Sequence, residues 1–466
     1  MKRRELLHLL PVSAAGLALS PYQSSARERP RPAGAGGGET LAQEYQRKVR
    51  DMLVRIRETQ SENLLEASYA VARTVERGNT CWCNWNMGHG TRFELFPGRD
   101  GLPELFTPGY DSKKLRNGDL YLTNRGPINL KDRADKDFFV IGAPVPWSSD
   151  AGMADLIVRD TAKHRNRPHS DLWIETFVTT VGAVVRVPGM PAPVGPVSGI
   201  LGIVLFWMIA ADACRILARE GKAVPVGGDE PRLSGDGIEY VSLHDPLMDD
   251  YFDRVLMQME MIGAETGDIR EIASMAVDSV LAGGKVYGYS RLQTGICVEA
   301  QTRRGGLAMT RGVFEENGKV VDYQGNELKG SPNDLVIMGI HEPDNPADLA
   351  ALDSFRRMNM KIASIGPMTR DIKIPEGRTV PKETDVHVGR MCDAYGLYAV
   401  PGFERKICPT SGALQMQLYW VTVMEIVDEV IRRTDGNVPG VFMSAAIKGG
   451  TEHMHRMNAV YEERGY

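Results

Sequence analysis

A histidine and a glutamate with the chemistry of a proton-transfer site follow a short apolar segment in the first half of the chain. The turn Gly88-His89-Gly90-Thr91 carries the histidine, and Glu94 lies three residues past Thr91. Two glycines let the backbone approach a ligand closely, and His and Glu are common general acids and bases. We therefore predict that His89 and Glu94 are catalytic and that Gly88, Gly90 and Thr91 contact the substrate. In the alternative interpretation, His89 caps a helix and Glu94 offsets the helix macrodipole.

The position of Glu94 also predicts how a substitution would behave. Glu94 follows a turn at the start of a helix, outside the predicted core, where substitutions usually change stability by less than about 0.5 kcal/mol. We therefore expect Glu94→Gln to abolish activity and to leave the melting temperature almost unchanged.

Further polar positions are candidates for the same chemistry. His453 follows Glu452 near the carboxyl terminus, and we predict it as a third catalytic residue, with a surface or interface role as the alternative. His455 lies two residues from His453 and diverges from it on a helix, so no metal site is predicted there. In the second half, His341 and Glu342 follow an apolar strand, and we predict that His341 contacts the substrate.

Composition and charge narrow the class of protein. The chain has 466 residues, of which 42% are hydrophobic and 25% charged, as in ordinary globular proteins. A net charge of -5 gives no basic surplus, which argues against a nucleic-acid partner.

The cysteines and the most apolar segment point to a packed interior. None of the six cysteines forms a CxxC pair or a Cys/His cluster with metal spacing, so we predict buried free thiols and no metal or other cofactor. Ile200 to Ala211 is an apolar run of twelve residues. Because a membrane span needs about 20 residues, we predict a core helix and no membrane span.

The amino terminus has the pattern of an export signal. Arg3 and Arg4 precede a modest apolar stretch, Leu6 to Leu19, and a tract rich in Pro, Gly and Arg follows at Ser24 to Gly38. Paired arginines before an apolar region are typical of twin-arginine signals. We therefore predict a periplasmic or extracytoplasmic protein, with a basic, unstructured amino terminus as the alternative.

Two stretches of the chain repeat one another, which indicates an internal duplication. Val187-Pro188-Gly189 and Pro196-Val197-Ser198-Gly199 recur as Val400-Pro401-Gly402 and Pro409-Thr410-Ser411-Gly412, and in both copies the second proline comes eight positions after the first. Upstream, the apolar positions Tyr45, Val49 and Ile56 recur 206 positions on as Tyr251, Val255 and Ile262.

The elements around these repeats predict the fold class. Each copy opens with an amphipathic helix and continues with short apolar strands separated by helices, a pattern typical of buried parallel sheets. We predict an α/β fold of two tandem three-layer α/β/α domains, each with a mostly parallel five-stranded sheet. The predicted boundaries are a signal and spacer (1–40), a first domain (41–222), a linker (223–246) and a second domain (247–466). Copy two carries an insertion at 315–329 with the pattern of a β-hairpin.

These features together resemble the sugar isomerase (SIS) domain. The long first helix, the Gly-x-His-Gly-Thr-like turn, the Asp-led strand and the Gly-Pro-Val-Ser-Gly-Ile-Leu-Gly helix carry the resemblance, which spans about residues 41–222 and 247–466. The segments Val438 to Ser444 and Gly449 to His453 resemble the end of an uncharacterised bacterial SIS family.

The resemblance implies a sugar or sugar derivative as ligand, strand-end contacts from Asn124, Ser198 and Ser411, and pairing as a homodimer. Neither loop after the second strand has the Ser-x-Ser-Gly-x-Thr cradle that normally holds phosphate, and this departure argues against phosphosugars. We therefore expect an exported SIS-like protein that isomerises or otherwise modifies a carbohydrate derivative. The alternative is a non-catalytic sugar-binding module that has lost the phosphate loops.

Overall fold

A computed structural model describes most of the chain after the predicted signal and spacer. The described residues are 39–84, 94–95, 98–109, 111, 113–123, 136–143, 170–178, 182–228, 232–234, 236–291, 295–301, 305–316, 318–322, 325–369, 376–443 and 449–466.

Short apolar strands in the first half form a five-stranded sheet. They are β1 (Cys81–Asn84), β2 (Thr107–Pro108), β3 (Leu120–Thr123), β4 (Phe139–Gly142) and β5 (Leu172–Trp173). The order is β2-β1-β3-β4-β5, and every pairing is parallel. The central strands are apolar on both faces because both faces are covered.

Two long helices and a small hairpin complete the first half. Helix α1 (Leu41–Glu76) begins with a capping box in which Thr40 binds the first turn. Strands β6 (Ala183–Val185) and β7 (Val194–Pro196) pair antiparallel and lead into helix α2 (Ser198–Arg219). Helix α2 is long and apolar enough to cross a membrane, yet the whole apolar window is buried inside the protein, as a core helix would be.

The second half forms a six-stranded sheet. Its strands are β8 (Val286–Ser290), β9 (Thr310–Glu316), β10 (Lys319–Asp322), β11 (Leu335–Gly339), β12 (Lys361–Thr369) and β13 (Val386–Cys392). The order is β10-β9-β8-β11-β12-β13, and only the β9–β10 pair is antiparallel. The β9–β10 hairpin confirms the β-hairpin predicted at 315–329, although its first strand begins earlier, at Thr310. Because β10 pairs with β9, this sheet has six strands rather than the predicted five.

The helices of the second half lie on both faces of this sheet. They are α3 (Leu247–Met261), α4 (Thr266–Leu281), α5 (Ile296–Glu299), α6 (Pro346–Arg357), α7 (Val380–Glu383), α8 (Ser411–Arg433) and α9 (Gly450–Arg464). The expected single opening helix is divided by a 3-10 turn at Ile262–Glu265, where Gly263 and Gly267 weaken helix propensity.

One hydrophobic core runs through both halves. Helix α1 packs on the first sheet, α4 and α8 pack on the second, and α8 also packs on α1 and α2. Alternate residues of the buried strands face opposite sides: Leu335 and Ile337 join the large core, whereas Val336 and Met338 join a smaller one under α6. The predicted α/β class with parallel sheets is confirmed.

Several contacts occur once in each half. Tyr45 Oη donates to the Pro196 carbonyl at 2.8 Å, and Tyr251 Oη donates to the Pro409 carbonyl at 3.1 Å. Each sheet also has an aspartate before its second long strand that accepts a backbone N–H of the neighbouring segment. These contacts are Thr80 N to Asp119 at 3.0 Å and Lys285 N to Asp334 at 2.7 Å.

The six cysteines are all buried and free, which confirms that prediction. Among the residues that the structure describes, no three His, Cys, Asp or Glu side chains are grouped to hold a metal ion.

Candidate functional site

We use the word crevice for the carboxyl edge of the second sheet between β8 and β11, where the two connections leave on opposite faces. After β8 the chain turns into α5, whose Ile296 belongs to the large core. After β11 it turns to the opposite face and enters α6, whose Phe355 packs against Tyr289 with ring centroids 5.5 Å apart. Adjacent strands with connections on opposite faces form a switch point, the place where ligands bind in open α/β sheets.

A histidine and an aspartate from different halves meet at this edge. His341 follows β11 after Ile340, and its Nε2 lies 3.4 Å from Asp100 Oδ2. Both side chains are more than nine-tenths buried. The His341 Nε2 atom nevertheless has no hydrogen-bond partner. The two side chains are therefore close enough for an ion pair, but their relative orientation does not form a hydrogen bond. The His341 Nε2 atom therefore retains unused hydrogen-bonding capacity.

Reciprocal contacts between the halves bring Asp100 to this edge. The Gly101 carbonyl accepts the Cys408 N–H at 3.1 Å, and the Gly305 carbonyl accepts the Gly195 N–H at 3.0 Å. Gly101 has φ +68, and a Cβ there would fall 2.9 Å from Pro409 Cδ. Glycine is therefore required for this close approach.

Glu342 extends the polar cluster. Its carboxylate accepts the Asn345 side-chain N–H at 2.9 Å and the Tyr395 hydroxyl at 3.4 Å. The Tyr395 ring stands edge-on to His341, with centroids 6.1 Å apart. Burial and then the charges of Glu342 and Asp100 raise the Tyr395 pKa above its ordinary value, so the hydroxyl keeps its proton at neutral pH.

A buried carboxyl group lies in the first turn of α6. Tyr289 Oη donates to Asp348 Oδ1 at 3.2 Å. Burial raises the Asp348 pKa from 3.8 to about 7, against the opposing effects of Arg291 and the Tyr289 hydrogen bond. Asp348 is therefore a carboxyl group that exchanges its proton near neutral pH.

Glu94, predicted as catalytic, is fixed in a buried ion pair. Its carboxylate accepts hydrogen bonds from Arg99 Nε at 3.2 Å and from Trp207 Nε1 at 2.9 Å. Arg99 also donates to Ser411 Oγ at 2.8 Å, at the start of α8. The expectation that Glu94 lies outside the core is wrong: its side chain is only 1% exposed, because Arg99 and Trp207 compensate its burial.

The other predicted site residues fall into separate places. His453 is buried, and its Nε2 bonds the Val441 carbonyl at 2.7 Å, which fastens α9 to the preceding segment. Ser198 is buried at the start of α2. The remaining predicted residues, Gly88, His89, Gly90, Thr91 and Asn124, lie outside the described residues, so their roles stay predictions.

Of the predicted residues, His341 lies just after the carboxyl end of β11 beside Asp100, whereas Ser411 and Glu94 are joined through Arg99. Sequence reasoning missed Asp100, Tyr395 and Asp348. Asp348 could have been found from the sequence, because it lies in the first helical turn after β11 and follows Asn345, a residue type typical of helix N-caps. Nothing local marks Asp100 or Tyr395, since their partners are more than fifty residues away.

The arrangement is suited to acid–base chemistry on a polar ligand. An imidazole beside a carboxylate can take a proton and remain paired as an imidazolium. A neutral tyrosine hydroxyl and a carboxyl group titrating near pH 7 supply proton donors nearby.

Comparisons with known proteins leave the family open. No protein-family model matches the sequence, and no curated protein is similar to it. Among solved structures, the C-terminal domain of glucosamine-fructose-6-phosphate aminotransferase from Francisella tularensis is 10% identical, with a TM-score of 0.42 over 83% of this chain and 97% of that chain. Glucosamine-6-phosphate deaminase from Thermotoga maritima is 9% identical, with a TM-score of 0.39 over 86% of this chain and 96% of that chain. At these values the similarity does not establish the family, the ligand or the activity of this chain.

Proposed function

We propose that the protein binds a sugar or sugar derivative in the crevice between β8 and β11 and moves a proton next to its carbonyl group. The observation that carries the proposal is the buried Asp100–His341 pair, with Glu342 beside it, at a switch point of a parallel sheet. The sequence resemblance to SIS domains suggests aldose–ketose isomerisation as the reaction.

Each side chain has a role in this proposal. His341 is the general base that takes the proton from the carbon next to the carbonyl, and Asp100 pairs with the resulting imidazolium. Glu342 and Tyr395 bind ligand hydroxyl groups. Asp348, whose pKa burial raises to about 7, accepts the Tyr289 hydroxyl hydrogen bond and keeps Tyr289 in position.

Exchange of substrate hydrogen with deuterium tests the proton transfer directly. We would incubate the protein with unphosphorylated aldoses and ketoses in D2O and follow loss of the proton at the carbon next to the carbonyl by NMR. A general base contributes about 10²–10⁴-fold to rate, so His341→Ala should lower exchange by that factor. Asp353→Asn is the matched control, because Asp353 is a half-exposed carboxylate in a surface pair with Arg378 and should leave exchange unchanged. Equal exchange in wild type and His341→Ala would refute the assignment of the base.

A non-catalytic sugar-binding module is the second candidate. It is favoured by the structural hydrogen bonds that hold Glu94 and His453, two of the three predicted catalytic residues. In that case a sugar would raise the melting temperature through mass action, and no deuterium would enter it.

We also propose that the chain is exported and that its halves are copies of one ancestral domain. Export is supported by Arg3 and Arg4 before the apolar stretch. Duplication is supported by the matched tyrosine–proline contacts, Tyr45 with Pro196 and Tyr251 with Pro409.

A further inference from the structure

The charges around the crevice are mostly negative among the residues that the structure describes. Asp100 faces His341, Glu342 follows it, and the exposed Asp344 lies two residues further on. These three carboxylates all act on Tyr395, whose pKa they raise together with burial. Arg291, at the end of β8, is the cation that acts on the neighbouring Asp348.

Two features near this edge that would attract an anion are already paired inside the protein. Helix α8 begins at this edge, and the Glu94 carboxylate lies directly against its first turn: a Cβ at Gly412 would fall 2.6 Å from the Glu94 carboxyl carbon. The carboxylate therefore occupies the helix end where a phosphate would bind. Arg99, the guanidinium nearest to that end, is neutralised by the same carboxylate.

A second observation indicates that the acidic cluster receives a ligand. His341 Nε2 is buried, points at Asp100, and lacks a hydrogen-bond partner. Buried polar atoms are normally satisfied. An added donor or acceptor at this point would complete the hydrogen bonding of the cluster.

We propose that the ligand is an unphosphorylated sugar derivative that carries a positive charge, such as an amino sugar, with its ammonium group held by Glu342 and Asp100. This inference rests on the proposed sugar site and specifies its ligand class. Ammonium groups donate three hydrogen bonds to carboxylates, whereas a phosphate would face three carboxylates at close range.

Calorimetric titration of the full chain at pH 6.5 with three related sugars tests the inference. The probes are glucosamine, glucose and glucosamine 6-phosphate, which differ in one amino or one phosphate group. We expect glucosamine to bind at least about tenfold more tightly than each of the other two, which corresponds to about 1.4 kcal/mol. Raising the salt concentration should reduce this preference, because it depends on charge.

Two variants connect the preference to the carboxylates. Glu342→Gln should abolish the preference for glucosamine over glucose, and Asp344→Asn, at an exposed position where folding is not at risk, should reduce it. Asp353→Asn is the control for a carboxylate lost elsewhere and should change nothing. Equal affinity for glucosamine and glucose, or tighter binding of the phosphate, would overturn the charge inference and leave sugar binding intact. Absence of binding by all three probes would instead overturn both this inference and the proposed site.

Discussion

Glu94→Gln should strongly destabilise the protein, although Glu94 follows a polar turn in the sequence. The side chains of Glu94 and Arg99 are 1% and 0% exposed, and two guanidinium nitrogens lie 3.1–3.2 Å from one carboxylate oxygen. Removing the negative charge leaves the guanidinium buried without a counter-ion. Breaking a buried pair in this way costs about 3–5 kcal/mol. The neutral amide keeps an acceptor for Trp207, so that hydrogen bond contributes little to the loss.

The free energy of unfolding from urea titrations measures this effect. Asp353→Asn provides the surface reference, since its pair with Arg378 is 39% and 52% exposed and should contribute less than about 1 kcal/mol. The double variant Glu94→Gln/Arg99→Met should recover part of the stability, because an apolar chain replaces the uncompensated charge. A loss below about 1 kcal/mol for Glu94→Gln would show that the pair is not buried as described. It would also restore the expectation from sequence that Glu94 is exposed and free for catalysis.

Three other perturbations have definite expected outcomes. Asp348 has a pKa of about 7 in the folded protein against an ordinary 3.8, so stability should fall by about 3 kcal/mol between pH 4 and 7, and Asp348→Asn should remove this slope in pH-dependent urea titrations. Gly412→Ala should cost about 1–3 kcal/mol in the same assay, because its methyl group would collide with the fixed Glu94 carboxylate. Replacing Arg3 and Arg4 by lysine should retain the protein in the cytoplasm, as measured by cell fractionation.

Each of these outcomes has a control or a contrary result. The sign for Asp348 follows because the folded state binds the proton more tightly than the unfolded chain, so deprotonation favours unfolding; an unchanged pH slope in Asp348→Asn would contradict it. Gly267→Ala is the control for Gly412, since Gly267 has open space around its Cβ position and should tolerate alanine. Unchanged periplasmic recovery after the lysine substitutions would remove the export proposal and readmit phosphosugars as candidate ligands.

The sheets were predictable because each strand can be recognised from a few neighbouring residues in the sequence. Apolar strands with an aspartate before them are visible in the sequence, and Asp119 and Asp334 bind backbone N–H groups beside the strands they precede. The division between α3 and α4 was missed, because a helical apolar pattern continues across the turn and the two glycines, Gly263 and Gly267, in and just after it. A pattern of side chains records which face is buried, but local backbone preference decides whether the helix is continuous.

The site was only partly predictable, because its charges are compensated by distant residues. His341 was predicted as a site residue because it follows the apolar strand β11, and ligands in open α/β sheets bind at the carboxyl ends of strands. That prediction needs only one strand. Glu94 was expected outside the core because it follows a turn at the start of a helix, and nothing near it in sequence indicates that Trp207, 113 positions away, donates to it. Pairs between residues so far apart in sequence depend on how the two halves pack together, and the local spacing of apolar residues gives no information about that packing.

The dependence of the crevice on both halves follows from the reciprocal loop contacts. Gly101 of the first half is bonded to Cys408 of the second, and Gly305 of the second is bonded to Gly195 of the first. Asp100 directly precedes Gly101, so the same contact that joins the halves also brings a carboxylate to His341. A single half would therefore lack one member of the pair, and its helix α8 would lose the Glu94 carboxylate at its amino end. The proposed chemistry needs both halves of the chain, because neither sheet carries the complete set of side chains.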